Sequence, residues 1–201
     1  MLAACRGWAT RILILLIAII AGLLAGVLRA RIAGRSLVVP DLHWLWLVIV
    51  AFIMQFLAFQ LPAIGARMPD RAASILLITS MLLLLFFAWQ NRRHPGFFLL
   101  GFGLVLNLVV IAVNGGWMPI SPHTVERLAP HASPGAWEVG SRLGTTKDMV
   151  LPAGETRLWA LSDRFVVPDW FPYRVAYSLG DVLIALGAFW FLWSLGGRLK
   201  T

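Results

Sequence analysis

Five apolar runs alternate with short polar stretches along the chain, over residues 12–28, 42–61, 74–89, 96–113 and 173–195. Coiled as helices these runs cover about 24–35 Å, the scale of a hydrocarbon core of about 30 Å. They predict an all-α integral membrane bundle of about five transmembrane helices, forming one domain over residues 1–201. Polar punctuation marks the ends. Arg29, Arg31 and Arg35 follow the first run, Pro62 ends the second, residues 90–94 end the third, and Asn114-Gly115-Gly116 ends the fourth. A cleavable signal peptide would have a shorter apolar stretch and small residues where these arginines stand, so the first run is expected to persist.

The tryptophans sharpen this picture. Trp44, Trp46, Trp89, Trp117, Trp170, Trp190 and Trp193 fall at or near run ends, the headgroup level that amphipathic indoles prefer. The chain is 60% hydrophobic and 13% charged with mean hydropathy +0.82, too little polar surface to cover a water-facing globule. Its net charge of +8 sits in small groups at run ends. That placement suits anionic lipid headgroups, and no nucleic acid is expected as a partner. Arg29, Arg31, Arg35, Arg92, Arg93, Arg198 and Lys200 fall on one side, against Arg6, Arg11, Arg67 and Arg71 on the other. Short-loop charge therefore places the carboxyl terminus in the cytoplasm, with the amino terminus and the long fourth loop outside a bacterial inner membrane. Cys5 is the single cysteine. Too few residues precede it to deliver it for lipidation, and it allows no internal disulfide.

The loop over 114–172 is too long for a plain connector and is expected to pack down as a lid. Ser121-Pro122 reads as a cap and first position of a short helix over 122–128, and residues 157–161 read as a second. No Walker loop, dinucleotide fingerprint, HExxH or GxSxG occurs in the chain. His43, His94, His123 and His131 lie at run ends or in the loop, so neither a metal site, a haem nor another cofactor is expected.

The candidates for chemistry are polar groups inside apolar runs, which cost several kcal/mol unless partnered. Asn107 and Asn114 are seven apart on one helix face, and Asp181 lies near the amino end of the last run, where the helix dipole favours an anion. Two readings stand. Asn107, Asn114 and Asp181 form an outward-facing pocket for a cation or proton, or they tie the fourth and fifth helices together, with Arg174 as counter-charge. Gln55 reads as interhelical adhesive. Ala18, Gly22 and Gly26 form a small-residue ridge whose partner is either another span of this chain or a helix of another protein.

Asn114-Gly115-Gly116-Trp117-Met118-Pro119-Ile120-Ser121 resembles the N-G-G-x-M-P-V-S segment of a prokaryotic membrane family, domain of unknown function 5317. Thr156-Arg157-Leu158 with Leu161 and Asp163, then Tyr177-Ser178-Leu179-Gly180-Asp181, resembles that family's T-R-L…L-x-D…x-S-I-G-D ending. Ile120 and Leu179 are conservative departures, and residues 130–154 match nothing in the pattern. The resemblance implies a multi-helix bacterial membrane protein. It singles out Asn114, Met118, Pro119, Ser121, Gly180 and Asp181 as site or anchor residues, with Gly115 and Gly116 supplying tight turns, and it implies no reaction. The expected role is non-catalytic: an accessory or scaffold subunit beside other transmembrane proteins in the bilayer. The alternative is a small solute or ion transporter, or a binding protein, using Asp181. Behind both stands a lipid-acting enzyme, which lacks the paired acidic or histidine motifs of such chemistry.

Overall fold

The computed structural model describes residues 13–133, 135–168 and 170–197. Cys5, Arg6, Arg11, Ile12, Arg198 and Lys200 lie outside them. The fold is mostly helical. The main helices are α1 (Leu13–Ile32), α2 (Trp46–Gln55, continued by a π-helical turn Phe56–Gln60), the single turn α3 (Pro62–Gly65), α4 (Asp70–Gln90) and α5 (Phe97–Val113). After a long loop carrying the short helix α6 (Pro122–Leu128) comes α7 (Leu179–Ser194), extended by a 3-10 turn Leu195–Gly197. Among the described residues three segments are long and apolar enough to cross a membrane: Ile14–Ile32, Asp70–Gln90 and Leu179–Gly197. Trp46–Gln60 and Phe97–Val113 are shorter apolar helices.

Helix ends depart from the apolar runs for local reasons. Helix α1 runs on to Ile32 because Arg29 and Arg31 sit in its last turn, where cations suit the dipole. Helix α4 starts at Asp70, directly after Pro69, with an anion in its first turn. Helix α2 is shorter than its run. Residues 43–45 form a turn with Trp44 at φ 62°, and Leu61 leaves the helix in an extended conformation before Pro62.

Asn91 fixes that turn. The residue is 1% exposed. Its Oδ1 accepts from the His43 N–H, while its Nδ2 donates to the carbonyls of His43 and Phe87, each at 2.9 Å. Asn91→Leu strands these three backbone groups in a buried setting. It is expected to cost about 2–3 kcal/mol, read as a lower unfolding midpoint in detergent. An unchanged midpoint would refute the clamp.

The helices neighbour one another in the order α1, α7, α5, α4, α2. Two seams are built on glycine. On α1, a Cβ at Gly22 would lie 2.8 Å from the Phe189 carbonyl oxygen, and one at Gly26 2.5 Å from that of Leu192. Gly22 and Gly26 are buried and Ala18 is half-buried, so this ridge packs on α7 of the same chain. Between α5 and α7, Gly103 faces Gly180, and Gly187 faces Gly96. Gln55 Nε2 donates to Ser80 Oγ at 2.9 Å, joining α2 to α4.

The loop adds β structure to a fold expected to be all-α. Strand β1 (Met118–Ile120) pairs in parallel with β2 (Asp148–Val150). Strand β3 (Phe165–Val166) pairs antiparallel with β4 (Ala176–Tyr177). Because β4 takes up 176–177, α7 begins at Leu179 rather than Tyr173. Helix α6 has the expected Ser121 cap, whose hydroxyl accepts from the Thr124 N–H at 3.1 Å. The second expected loop helix is a 3-10 turn, Trp159–Leu161. Trp117 and Met118 belong to the same buried core as Leu77, Met81, Leu104 and Ile111, with Met149 and Leu161 against it. The loop is thus packed on the helix ends.

Candidate functional site

Ser178-Leu179-Gly180-Asp181 starts α7 with a reciprocal cap. The Ser178 hydroxyl accepts from the Asp181 N–H at 3.0 Å, and the Asp181 carboxylate accepts from the Ser178 N–H at 3.1 Å. Asn107, two turns before the end of α5, completes a ring. Its Nδ2 donates to Asp181 Oδ1 at 2.7 Å, and its Oδ1 accepts from the Ser178 hydroxyl at 2.8 Å. The close approach of α5 and α7 makes this ring. A Cβ on Gly180 would run into the Asn107 carbonyl oxygen and come within 2.7 Å of the Gly103 carbonyl. Both hydrogen-bond partners of the carboxylate are neutral. Among the described residues no ion pair joins Arg174 to this carboxylate, and one terminal nitrogen of Arg174 donates to the Arg127 carbonyl at 2.8 Å.

Asn114 does not join this ring. It sits past the end of α5, where Nδ2 donates to the carbonyls of Val110 (2.7 Å) and Arg157 (2.9 Å). Its Oδ1 accepts from the Arg157 N–H at 2.9 Å. Asn114 therefore clamps both backbone groups of Arg157. The chain then turns through Gly115 (φ 75°) and Gly116 (φ 90°), and a Cβ on Gly116 would strike the Ser74 hydroxyl of α4. Met118 is fully buried, and the Pro119 carbonyl accepts from the Asp163 N–H at 3.1 Å. The two sequence segments that resemble the family's motifs are thus bonded to each other.

Beneath the ring lies a cavity of about 260 Å³. Its apolar wall includes Leu15 of α1, Phe59 of the π-helical turn, Met81 and Leu84 of α4, Leu104 of α5 and Ile184 of α7. Its polar lining is Gln55, Gln60, Asn107, Asp181 and, from the loop, Thr146, Lys147 and Tyr177. Lys147 pairs with the buried carboxylate of Asp163 at 3.2 Å. Gln60 Oε1 is buried and has no hydrogen-bond partner among the described residues.

Arg142 closes the loop over this region. Its Nε donates to the Thr146 carbonyl at 2.7 Å, and one terminal nitrogen donates to those of Thr145 (2.9 Å) and Ala58 (3.2 Å). The other terminal nitrogen lies 3.7 Å from Asp70. The guanidinium also stands over the Phe59 and Trp117 rings. Burial lowers its pKa, and the charges of Asp70 and Asp148 partly offset this. No group of three metal-ligating side chains occurs among the described residues.

A family model matches residues 40–193, described as a family of unknown function, DUF5317. The chain belongs to that family. The matched stretch contains both motif segments, Arg142 and the whole cavity lining except that from α1. A protein of Thermotoga maritima, described as uncharacterized, is 26% identical over 183 residues, covering 88% of this chain and 84% of the relative. No solved structure matches.

Proposed function

We propose that this DUF5317 protein is a multi-pass protein of the bacterial cytoplasmic membrane that binds a small ligand in its loop-side cavity, as a binding or transport component. The bilayer reading rests on the three long apolar helices and on apolar side chains turned outward along the bundle. Leu24 is 64% exposed, Ile75 63% and Phe98 78%, a surface that lipid covers and water does not. In this reading all five apolar helices span, the amino terminus and the loop lie outside, and the carboxyl terminus is cytoplasmic. The two shorter helices, about 23 and 26 Å long, cross with some bilayer thinning.

One observation carries the binding function: a carboxylate held only by neutral donors lines an otherwise largely apolar cavity. Intramembrane carboxylates are costly and tend to mark ligand or ion paths. The accessory-subunit role expected first from the sequence loses one of its supports, the α1 ridge, because Gly22 and Gly26 pack on α7 of this chain.

The test is mass spectrometry of molecules co-purified with the detergent-solubilised protein, comparing wild type, Asp181→Asn and Leu84→Trp. Asp181→Asn removes the charge, and Leu84→Trp fills the cavity without touching the ring. The expected result is one bound species in the wild type, reduced at least tenfold in both variants. The same profile in all three proteins would overturn the reading.

A further inference from the structure

The cavity's shape and its unmet polar groups narrow the ligand, and this step rests on the binding function proposed above. At about 260 Å³ the cavity falls just below the range of about 300–1,000 Å³ that encloses a whole drug-sized molecule. It therefore suits part of a larger ligand. Along α4 its lining runs from Leu77 to Leu84, about 10 Å of helix rise. Leu84 is fourteen residues into α4 from Asp70, about 21 Å from the loop side. Under the proposed topology that is past the middle of a core of about 30 Å. Gln60, Asp181, Thr146, Lys147 and Tyr177 line the loop end, Gln55 lies deeper beside Ser80, and the deepest lining, Met81 and Leu84, is apolar. That order suits a lipid with its head at the loop end.

The ends of the helix arc supply the entrance. Helices α1 and α2 are its two termini, and no packed seam joins them like those joining the other neighbours. Leu15 of α1 and Phe59 and Gln60 of the π-helical turn nevertheless line the same cavity. Ile17, three residues on from the lining residue Ile14, and Phe52 and Phe56, three residues from Gln55 and Phe59, are exposed apolar side chains, a rim suited to hydrocarbon.

The head chemistry follows from the acceptors. Gln60 Oε1 is a buried acceptor with no hydrogen-bond partner among the described residues, an unmet demand for a donor. Among the described residues the partners of Asp181 are neutral, Asn107 and the Ser178 amide. The nearby cations are already engaged, Lys147 by Asp163 and Arg142 by Asp70. A group with N–H donors and positive charge satisfies both acceptors. We infer that the ligand is a bilayer lipid with an ammonium-bearing head. It slides in between α1 and the π-helical turn, and its head donates to Gln60 and Asp181.

The test uses the full chain in nanodiscs of phosphatidylcholine, whose quaternary head has no N–H donor. The probe is phosphatidylethanolamine carrying a photoactivatable acyl chain. Labelling is expected at the α1 and π-turn lining, around Leu15 and Phe59. Unlabelled phosphatidylethanolamine should compete at least tenfold better than phosphatidylcholine or phosphatidylglycerol. Gln60→Leu, which removes an unpaired acceptor and so is expected to fold at least as well as wild type, should lower labelling about tenfold. Equal competition by all three lipids would overturn the lipid assignment. So would displacement by soluble ethanolamine as effective as by the lipid, although the cavity would then still be a binding site. Labelling unaffected by the cavity-filling Leu84→Trp would overturn the lipid assignment, because the labelled lipid would lie outside the cavity; the binding function itself stands or falls on the co-purified ligand.

Discussion

Replacing Arg142 by alanine is expected to free the loop from the helix ends and to cost about 2–4 kcal/mol, through backbone carbonyls left unpaired. The side chain is 7% exposed, and two kinds of interaction hold it. The pair with Asp70 is the weaker, because it is 3.7 Å long and the carboxylate is 63% exposed, so water screens it. The three carbonyls at 2.7–3.2 Å matter more. Each accepts a charge-assisted bond, and they lie on different segments: Ala58 in the π-helical turn, Thr145 and Thr146 in the loop. One planar fork reaches them all. Arg142→Lys should therefore recover less than half of the lost stability, since a single ammonium cannot span these acceptors. Arg142→Met keeps most of the stem over Phe59 and Trp117 and isolates the polar share. Unfolding midpoints in detergent and proteinase cleavage within residues 130–160 report the two consequences. An alanine variant within about 0.5 kcal/mol of wild type, with no new cleavage, would show that the loop is held elsewhere.

Long apolar runs were legible because each needs only local sequence: α1, α4 and α5 appear within four residues of their runs. What escaped was non-local. Residues 130–154 carry no recognisable pattern, yet Arg142 is the main staple of the loop, because its acceptors are backbone carbonyls and any sequence supplies those. Asn91 was read as part of a polar flank, whereas its role depends on where His43 happens to fold. Asn107 and Asn114 share a helix face by spacing, but α5 ends at Val113 and Asn114 turns away to Arg157. The start of α7 had a usable signal. Ser178-x-x-Asp181 matches a capping box with aspartate as its acid and would have placed the helix start at Leu179, six residues later than the apolar run suggests. The carboxylate's double role follows from that position. It caps α7 through one oxygen and meets Asn107 through the other.

The glycine seam between α5 and α7 carries the second large effect. Gly96 and Gly103 on one side and Gly180 and Gly187 on the other are each seven residues apart, about two helical turns or 10 Å. The two pairs of contacts therefore fall on matching faces, and the backbones touch. Helices in a bilayer gain nothing from excluding water, so association rests on such close packing. A Cβ at Gly187 would lie 2.6 Å from the Leu100 nitrogen and 2.7 Å from the Gly96 carbonyl oxygen. Both obstacles are backbone and cannot rotate away. Gly187→Ala is expected to cost about 2–3 kcal/mol, and the valine variant more. Gly101, on the facing helix α5, is the internal control. A Cβ there meets only the Ala88 Cβ at 3.5 Å, an ordinary contact, and alanine is the better helix former by about 1 kcal/mol. Gly101→Ala should thus leave the unfolding midpoint unchanged or raised, while Gly187→Ala lowers it. Equal effects of the two would mean that helix propensity, not backbone contact, governs this interface. Because Asn107 and Asp181 face each other across the same seam at 2.7 Å, Gly187→Ala should also weaken retention of the ligand that the proposed function places in the cavity.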